Sequence, residues 1–335
     1  MALTEETGNS SVIATINRTC LLDEQFLTIM MPPILTIFFI LAASFNSLAL
    51  WIFCSHMKKK TPIDILMLNL CMVDLLFTLT YPLVIIYHSN SNYWIFGNFV
   101  CKLQTFMMYC TVLASVFFLT CISNYRCYVI IKPIHSQSRV TKKCTIIICV
   151  LIWLLAGLFA FPSFYRVNVF ELNGKIHCLS FNHPNVETDV LTFTIMLFIL
   201  TFGIPFISLL VSTLLIQRKL ANLTLTAHSE KGRHAIRMMI VILCIFVICF
   251  LPINVARLIM SVVSVKSCKN YQQIGVVYYC CVLALYANNV LDPFVYFYAG
   301  TKYRSKLINA IKGVAFCNKL PIAASSTQSN TESRV

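Results

Sequence analysis

Glycine is scarce in this chain, nine in 335 residues, and so is charge, at 11% of positions with only 12 acids. Each shortage excludes something. A transporter of the inverted-repeat kind needs paired Gly- or Pro-broken helices around a midplane site, and neither those nor an internal repeat is visible. An enzyme buried in a membrane needs a metal-binding His/Glu cluster or a nucleophile with its base. The seven histidines, His56, His88, His135, His177, His183, His228 and His234, fall in loops or at the ends of apolar stretches without HExxH spacing, so no enzyme is expected. The first 27 residues have no basic region followed by an apolar core, so no cleaved leader is expected and the first apolar stretch should serve as the signal. Ten-residue strands of alternating polarity are also missing, which removes a membrane β-barrel.

What the chain has instead is apolar length. The composition is 58% hydrophobic with a mean hydropathy of +0.78, more than a water-soluble domain can hide. Seven stretches run from Thr28 to Cys54, Ile63 to Tyr87, Lys102 to Ile131, Cys144 to Phe164, Val190 to Ile216, Ala235 to Val263 and Ile274 to Tyr298. At ~1.5 Å per residue, about 20 residues cross the hydrocarbon core, and backbone groups in lipid must be satisfied within the segment. The fold class is therefore an all-α membrane protein, a bundle of seven transmembrane helices over residues 28–298. An external tail (1–27) precedes it and two cytoplasmic pieces (299–316 and 317–335) follow.

Basic residues set the orientation. Lys58, Lys59 and Lys60, then Lys132, Arg139, Lys142 and Lys143, then Arg218, Lys219, Lys231, Arg233 and Arg237, and finally Lys302, Arg304, Lys306, Lys312 and Lys319 fall on one side. The positive-inside rule makes that side cytoplasmic and puts the N-terminus outside, as for a multi-pass protein of the plasma membrane. The opposite side carries Arg18, Lys102, Arg166, Lys175, Arg257, Lys266 and Lys269 against seven acids from Glu5 to Asp189. The net charge of +14 thus reflects topology and attraction to anionic inner-leaflet lipids, not nucleic-acid binding. Asn9-Ser10-Ser11 and Asn17-Arg18-Thr19 on the outer tail are glycosylation acceptors, whereas Asn222-Leu223-Thr224 would face the cytoplasm unused.

Most of the 16 cysteines lie inside apolar stretches, where a thiol is a small hydrophobe. Core packing is expected for Cys71, Cys110, Cys121, Cys149, Cys244, Cys249, Cys280 and Cys281. Cys20, Cys101, Cys178 and Cys268 fall on the oxidising side, where two bridges with three possible connectivities are expected.

Short patterns recur in order along the spans: Asn46 in span 1; Leu68-Asn69-Leu70-Cys71-Met72-Val73-Asp74 in span 2; Trp94-Ile95-Phe96-Gly97 before Cys101; and Trp153 in span 4. Phe202 and Pro205 follow in span 5, then Phe246, Cys249, Phe250 and Pro252 in span 6, and Asn289-Val290-Leu291-Asp292-Pro293-Phe294-Val295-Tyr296 in span 7. Together they resemble the rhodopsin-like (class A) G-protein-coupled receptors, over roughly Met31 to Lys312, and within them the nucleotide and lysophospholipid branch. The resemblance implies disulfides Cys101–Cys178 and Cys20–Cys268. It also implies a heterotrimeric G protein as partner, with Arg126, Phe246, Phe250, Pro252, Pro293 and Tyr296 in the activation path.

Asp74 and Asp292 are carboxyls at membrane depth, costing ~3 kcal/mol each unless partnered, so both must face the bundle interior. With Ser115 and Asn288 they form a hard-oxygen set suited to a small cation. The resemblance implies Na⁺ held by Asp74 and Ser115 in particular; a hydrated network without an ion is the alternative, and no other cofactor is expected. Pro82, Pro162, Pro205, Pro252 and Pro293 each remove a backbone hydrogen bond, permitting kinks, and Pro252 above Phe246 suits outward swinging of the inner half of span 6. The chain departs from the family at Tyr125-Arg126-Cys127, where Tyr125 replaces the usual acid and Cys127 the usual tyrosine, and at Thr213, where most members carry tyrosine. The altered triplet either raises basal activity or weakens coupling, and the second outcome makes a non-signalling scavenger or partner subunit the rival reading.

Met108 stands where amine receptors carry aspartate, so an aminergic ligand is not expected. Arg257, on the helical face shared with Asn254, either snorkels to the headgroups or offers its fork to a phosphate or carboxylate. Gln104, Tyr109, Tyr81, Tyr87, Tyr278 and Tyr279 are candidate lining groups, with Arg166, Lys175 and His177 at the mouth. An anionic lipid, lysophospholipid or nucleotide is the expected ligand. Beyond span 7, Tyr303, Leu307, Ile308 and Ile311 share a face of a short amphipathic eighth helix on the inner leaflet. Cys317 is a candidate palmitoylation site. Ser325, Ser326, Thr327, Ser329, Thr331 and Ser333 could accept phosphates that recruit arrestin.

Overall fold

The computed structural model describes residues 24–56, 60–132, 140–172, 174–179, 187–221, 230–262, 268–299 and positions 305, 307 and 308. Among them, seven helices are long and apolar enough to cross a membrane: Leu27–Ser55, Pro62–Ser89, Gly97–Ile131, Lys142–Arg166, Leu191–Lys219, Ile236–Val262 and Gln273–Val295, here spans 1 to 7. The bounds differ from the sequence expectation by a few residues at most. The expected glycosylation acceptors, Cys20, Cys317, most of the eighth helix and the 317–335 tail lie outside the described residues.

Span 3 is the most enclosed helix, packed by spans 2, 4 and 5. Its Leu113, Ala114, Val116, Phe118 and Ile122 are fully buried. Span 4 instead turns Ile147, Leu151, Leu154 and Leu158 outward. Such a face would be an aggregation hazard in water and is at rest against acyl chains. Cys244 and Cys280, expected in the core, are exposed on the same kind of outward face, which corrects that expectation. Lipid solvates a thiol as readily as a packed interior does, so an apolar span accommodates a cysteine on either face.

Prolines act at two breaks. Span 2 is interrupted between Thr78 and Tyr81, where the Thr80 hydroxyl donates to the Phe77 carbonyl (2.6 Å), and restarts with Pro82 in its first turn, where a missing N–H costs nothing. Span 5 opens into a π turn at Ile199–Gly203 ahead of Pro205, a local insertion that accommodates a residue unable to donate its own hydrogen bond. Spans 6 and 7 stay helical through Pro252 and Pro293.

A two-stranded antiparallel hairpin, β1 (Asn168–Leu172) and β2 (Lys175–Leu179), lies at the end of the bundle where span 3 begins, the end expected from the basic loops to face outside and here called outer. The Cys101–Cys178 disulfide ties it to span 3, and the Trp94 N–H donates to the Ile176 carbonyl at 2.7 Å. The turn before span 3 is completed by Gly97 at φ +77°, backbone geometry that a side chain would strain.

Candidate functional site

The outer site is organised around Arg257, on the span 6 turn beyond Pro252. Its side chain is only 5% exposed and turns inward, which settles the choice between snorkelling and facing the bundle. The guanidinium lies 5.5 Å from the centroid of the Tyr109 ring, donates to the Tyr278 hydroxyl and leaves Nε buried without a hydrogen-bond partner. Tyr109 meets Phe193 edge-on at 5.8 Å, and Arg166, itself exposed, covers the Phe193 ring at 5.0 Å. Two cations are thus linked through two aromatic rings, each contact worth ~0.5–2 kcal/mol.

One turn below Arg257, the Asn254 side chain donates to the Phe250 carbonyl (2.8 Å) and accepts from the Thr201 hydroxyl (2.9 Å) in the π turn of span 5. Gln104 is buried, donates to the Thr80 carbonyl at 3.3 Å and leaves Oε1 unsatisfied. Tyr81 belongs elsewhere: fully buried, it donates to the Tyr286 carbonyl (2.9 Å), accepts from Asn289 and joins spans 2 and 7. Tyr87 and His177 meet under the hairpin at 3.2 Å, so His177 is buried and not at the mouth, while Lys175 donates to the Ser91 carbonyl on the outer rim.

Below this layer the polar residues of spans 1, 2, 3 and 7 converge. Asn46 donates to the Ala42 and Asn289 carbonyls, both at 3.1 Å, and Asn289 donates to Thr78 at 2.9 Å. Asp292 accepts from Asn288 (3.0 Å) and Ser115 (3.4 Å) and shares a hydrogen bond with Asp74. Two buried carboxyls in such contact need a shared proton or a cation between them. Buried Asp292 Oδ1 and Asn288 Oδ1 have no partner, so oxygens remain for a small hard ion and the set fits Na⁺. Beside it, Phe202, Phe246 and Phe250 stack, with centroids 5.7 and 5.0 Å apart, and link the π turn of span 5 to span 6.

At the inner end, Arg126 is half-buried with Nε unpartnered. Ser123, one turn above, donates to the Met239 sulfur at 3.6 Å, so span 6 closes on span 3 here. Thr213 returns its hydroxyl to the Leu209 carbonyl of its own helix (2.7 Å). Asp64 is a residue the motifs did not single out: it is 4% exposed in the first turn of span 2, where its Oδ2 accepts from the Thr61 N–H (2.7 Å) and hydroxyl (2.6 Å). The Thr-x-x-acid capping-box spacing is the signal the sequence holds for it. Of the activation residues, Pro252 and Pro293 lie within their helices; Tyr296 lies in the helix Cys268–Ala299, just past the end of span 7.

The sequence profile of the 7 transmembrane receptor (rhodopsin family) matches residues 45–296. The chain is 29% identical to purinoceptor 4 of Xenopus laevis over 299 residues, covering 88% of this chain and 56% of that protein, or about half of its length. It is 29% identical to purinoceptor 1 of Homo sapiens over 316 residues, 91% of this chain and 84% of the other. Purinoceptor 3 of Gallus gallus is 29% identical over 293 residues, 85% of this chain and 89% of the other. With most of its length matched and its signature residues meeting in space, this chain belongs to the rhodopsin-family seven-transmembrane receptors, a family of G-protein-coupled receptors and not of enzymes.

Proposed function

We propose that the protein is a plasma-membrane receptor with its N-terminus outside, which senses a small anionic molecule at Arg257 and passes the signal to a heterotrimeric G protein. The observation that carries this reading is a buried guanidinium whose described neighbours are the Tyr109 ring and the Tyr278 phenol, with one N–H left unsatisfied. Among the described residues no acid is paired with this cation, and a phosphate or carboxylate entering from outside would supply a counter-charge through a bidentate contact. The relatives are named purinoceptors, which puts a purine nucleotide beside a lysophospholipid as the first candidates.

Binding near Asn254 would bias span 6 through Phe250 and Phe246, because both sit on its next two inward turns. Na⁺ among Asp74, Ser115, Asn288 and Asp292 would favour the resting arrangement, since it draws spans 2, 3 and 7 together. Phosphates on the Ser/Thr-rich tail would recruit arrestin. The test is G-protein dissociation in cells given single lysophospholipids and nucleotides. A response lost in Arg257→Ala at equal surface expression supports the reading, and a response unchanged in that variant sinks it.

The altered triplet favours a second reading, a receptor-fold protein that couples weakly, because Thr213 spends its hydroxyl on its own helix and Tyr125 cannot act as a carboxylate. Tyr125→Asp separates the two: a silent wild type that gains ligand-driven coupling supports weak native coupling, and a wild type that already responds rejects it.

A further inference from the structure

Counting helix turns places at the depth of Arg126 an acid that the triplet itself does not contain. Asp74 and Ser115 meet Asp292 and so mark one level in the bundle. Toward the cytoplasm, span 2 runs down in number and span 3 runs up. Asp64 lies ten residues from Asp74, and Arg126 eleven from Ser115. At ~1.5 Å per residue the descents are about 15 and 16.5 Å, so the two side chains arrive at nearly the same depth on helices that pack together.

Position is matched by chemistry. Asp64 is buried, and its carboxylate is pinned by the two hydrogen bonds from Thr61 at a helix N-terminus, where the dipole favours negative charge. Those partners are neutral. A buried carboxylate and a half-buried guanidinium with a free Nε each lack a charged complement on their own helix. The charge of Asp64 acts on both Arg126 and Tyr125.

We propose that Asp64 of span 2 is the positioning residue that replaces the missing triplet acid, restraining Arg126 by charge until a G protein engages it. The proposal rests on the receptor reading above for its signalling consequence but not for the pairing itself. It makes span 2, through the Thr61–Asp64 capping box, part of the resting restraint. In a triplet with its own acid, that restraint lies within span 3.

Asp64→Asn separates charge from capping, because the amide oxygen still accepts from Thr61. Basal G-protein dissociation at matched surface expression should rise by roughly two- to fivefold, the range available to a charge pair outside tight contact. Asp64→Glu should stay near wild type. Independently of signalling, the purified full chain in lipid nanodiscs is unfolded thermally as wild type, Asp64→Asn, Arg126→Gln and the double variant. The loss of Tm caused by Asp64→Asn should vanish in the Arg126→Gln background. Equal loss in both backgrounds overturns the pairing whatever the signal does. Unchanged basal signal in Asp64→Asn of a receptor that does respond to ligand overturns the restraint. A coupled unfolding cycle with no signal from any variant supports the pairing and instead sinks the receptor reading.

Discussion

Arg257 and Arg126 stand at opposite ends of the bundle, each with a buried Nε that has no partner, yet their surroundings differ in one respect. Around Arg257 the described contacts are Tyr109 and Tyr278, both neutral. Arg126 lies within the field of Asp64. A charge held among neutral dipoles waits for an external counter-ion, whereas one faced by an acid of its own chain is restrained from within. On the proposed reading, ligand capture and signal output would use the same group in two states of compensation.

The largest way to break that contrast is Arg257→Ala. It leaves a bound anion desolvated and unpaired, which costs ~2–5 kcal/mol, and should move the half-maximal ligand concentration up at least ~30-fold or abolish the G-protein response. Asn254→Asp gives Arg257 an internal acid one turn away and so imitates the inner end. Ligand potency should fall roughly tenfold, the size of a nearby charge in a partly shielded setting; unchanged potency in a dose–response series would argue that the anion sits elsewhere. Between the two ends, exchanging Na⁺ for N-methylglucamine should raise agonist affinity about fivefold in wild type and leave Asp292→Asn unmoved, since coupling between sites typically amounts to ~1–3 kcal/mol. Competition binding in the two salts checks this. The smallest effect belongs to Tyr109. Replacement by Leu removes the ring under Arg257, worth ~0.5–2 kcal/mol, and should weaken ligand binding about threefold while Tyr109→Phe retains it.

Most of the architecture was legible because a bilayer imposes length and polarity on every span. Membrane-depth polar groups were legible for a related reason: Asp74 and Asp292 are too costly to stand alone, and they meet as expected. Which way an apolar side chain points was not, because acyl chains and protein interior are alike to it, as Cys244 and Cys280 illustrate. Composition makes Tyr81 a candidate lining group, and only packing reveals that its hydroxyl is spent on span 7. The outer hairpin had its signal in Leu172-Asn173-Gly174-Lys175, an Asn-Gly pair between short β-prone runs, obscured by the helical stretches around it. Asp64 is the instructive omission. The neighbours of Arg126 along the chain hold no acid, and the one in whose field it lies comes from the antiparallel helix, far away in sequence.

An uncompensated Arg257 awaiting an anion is tested most directly by G-protein dissociation in living cells against a panel of single lysophospholipids and nucleotides, comparing wild type, Arg257→Lys and Arg257→Ala at matched surface expression. Wild type should respond to at least one anionic compound. The response should be weakened by Lys, which keeps the charge and loses the fork, and lost with Ala. A ligand response of equal potency in all three would contradict the anion-sensing role of Arg257.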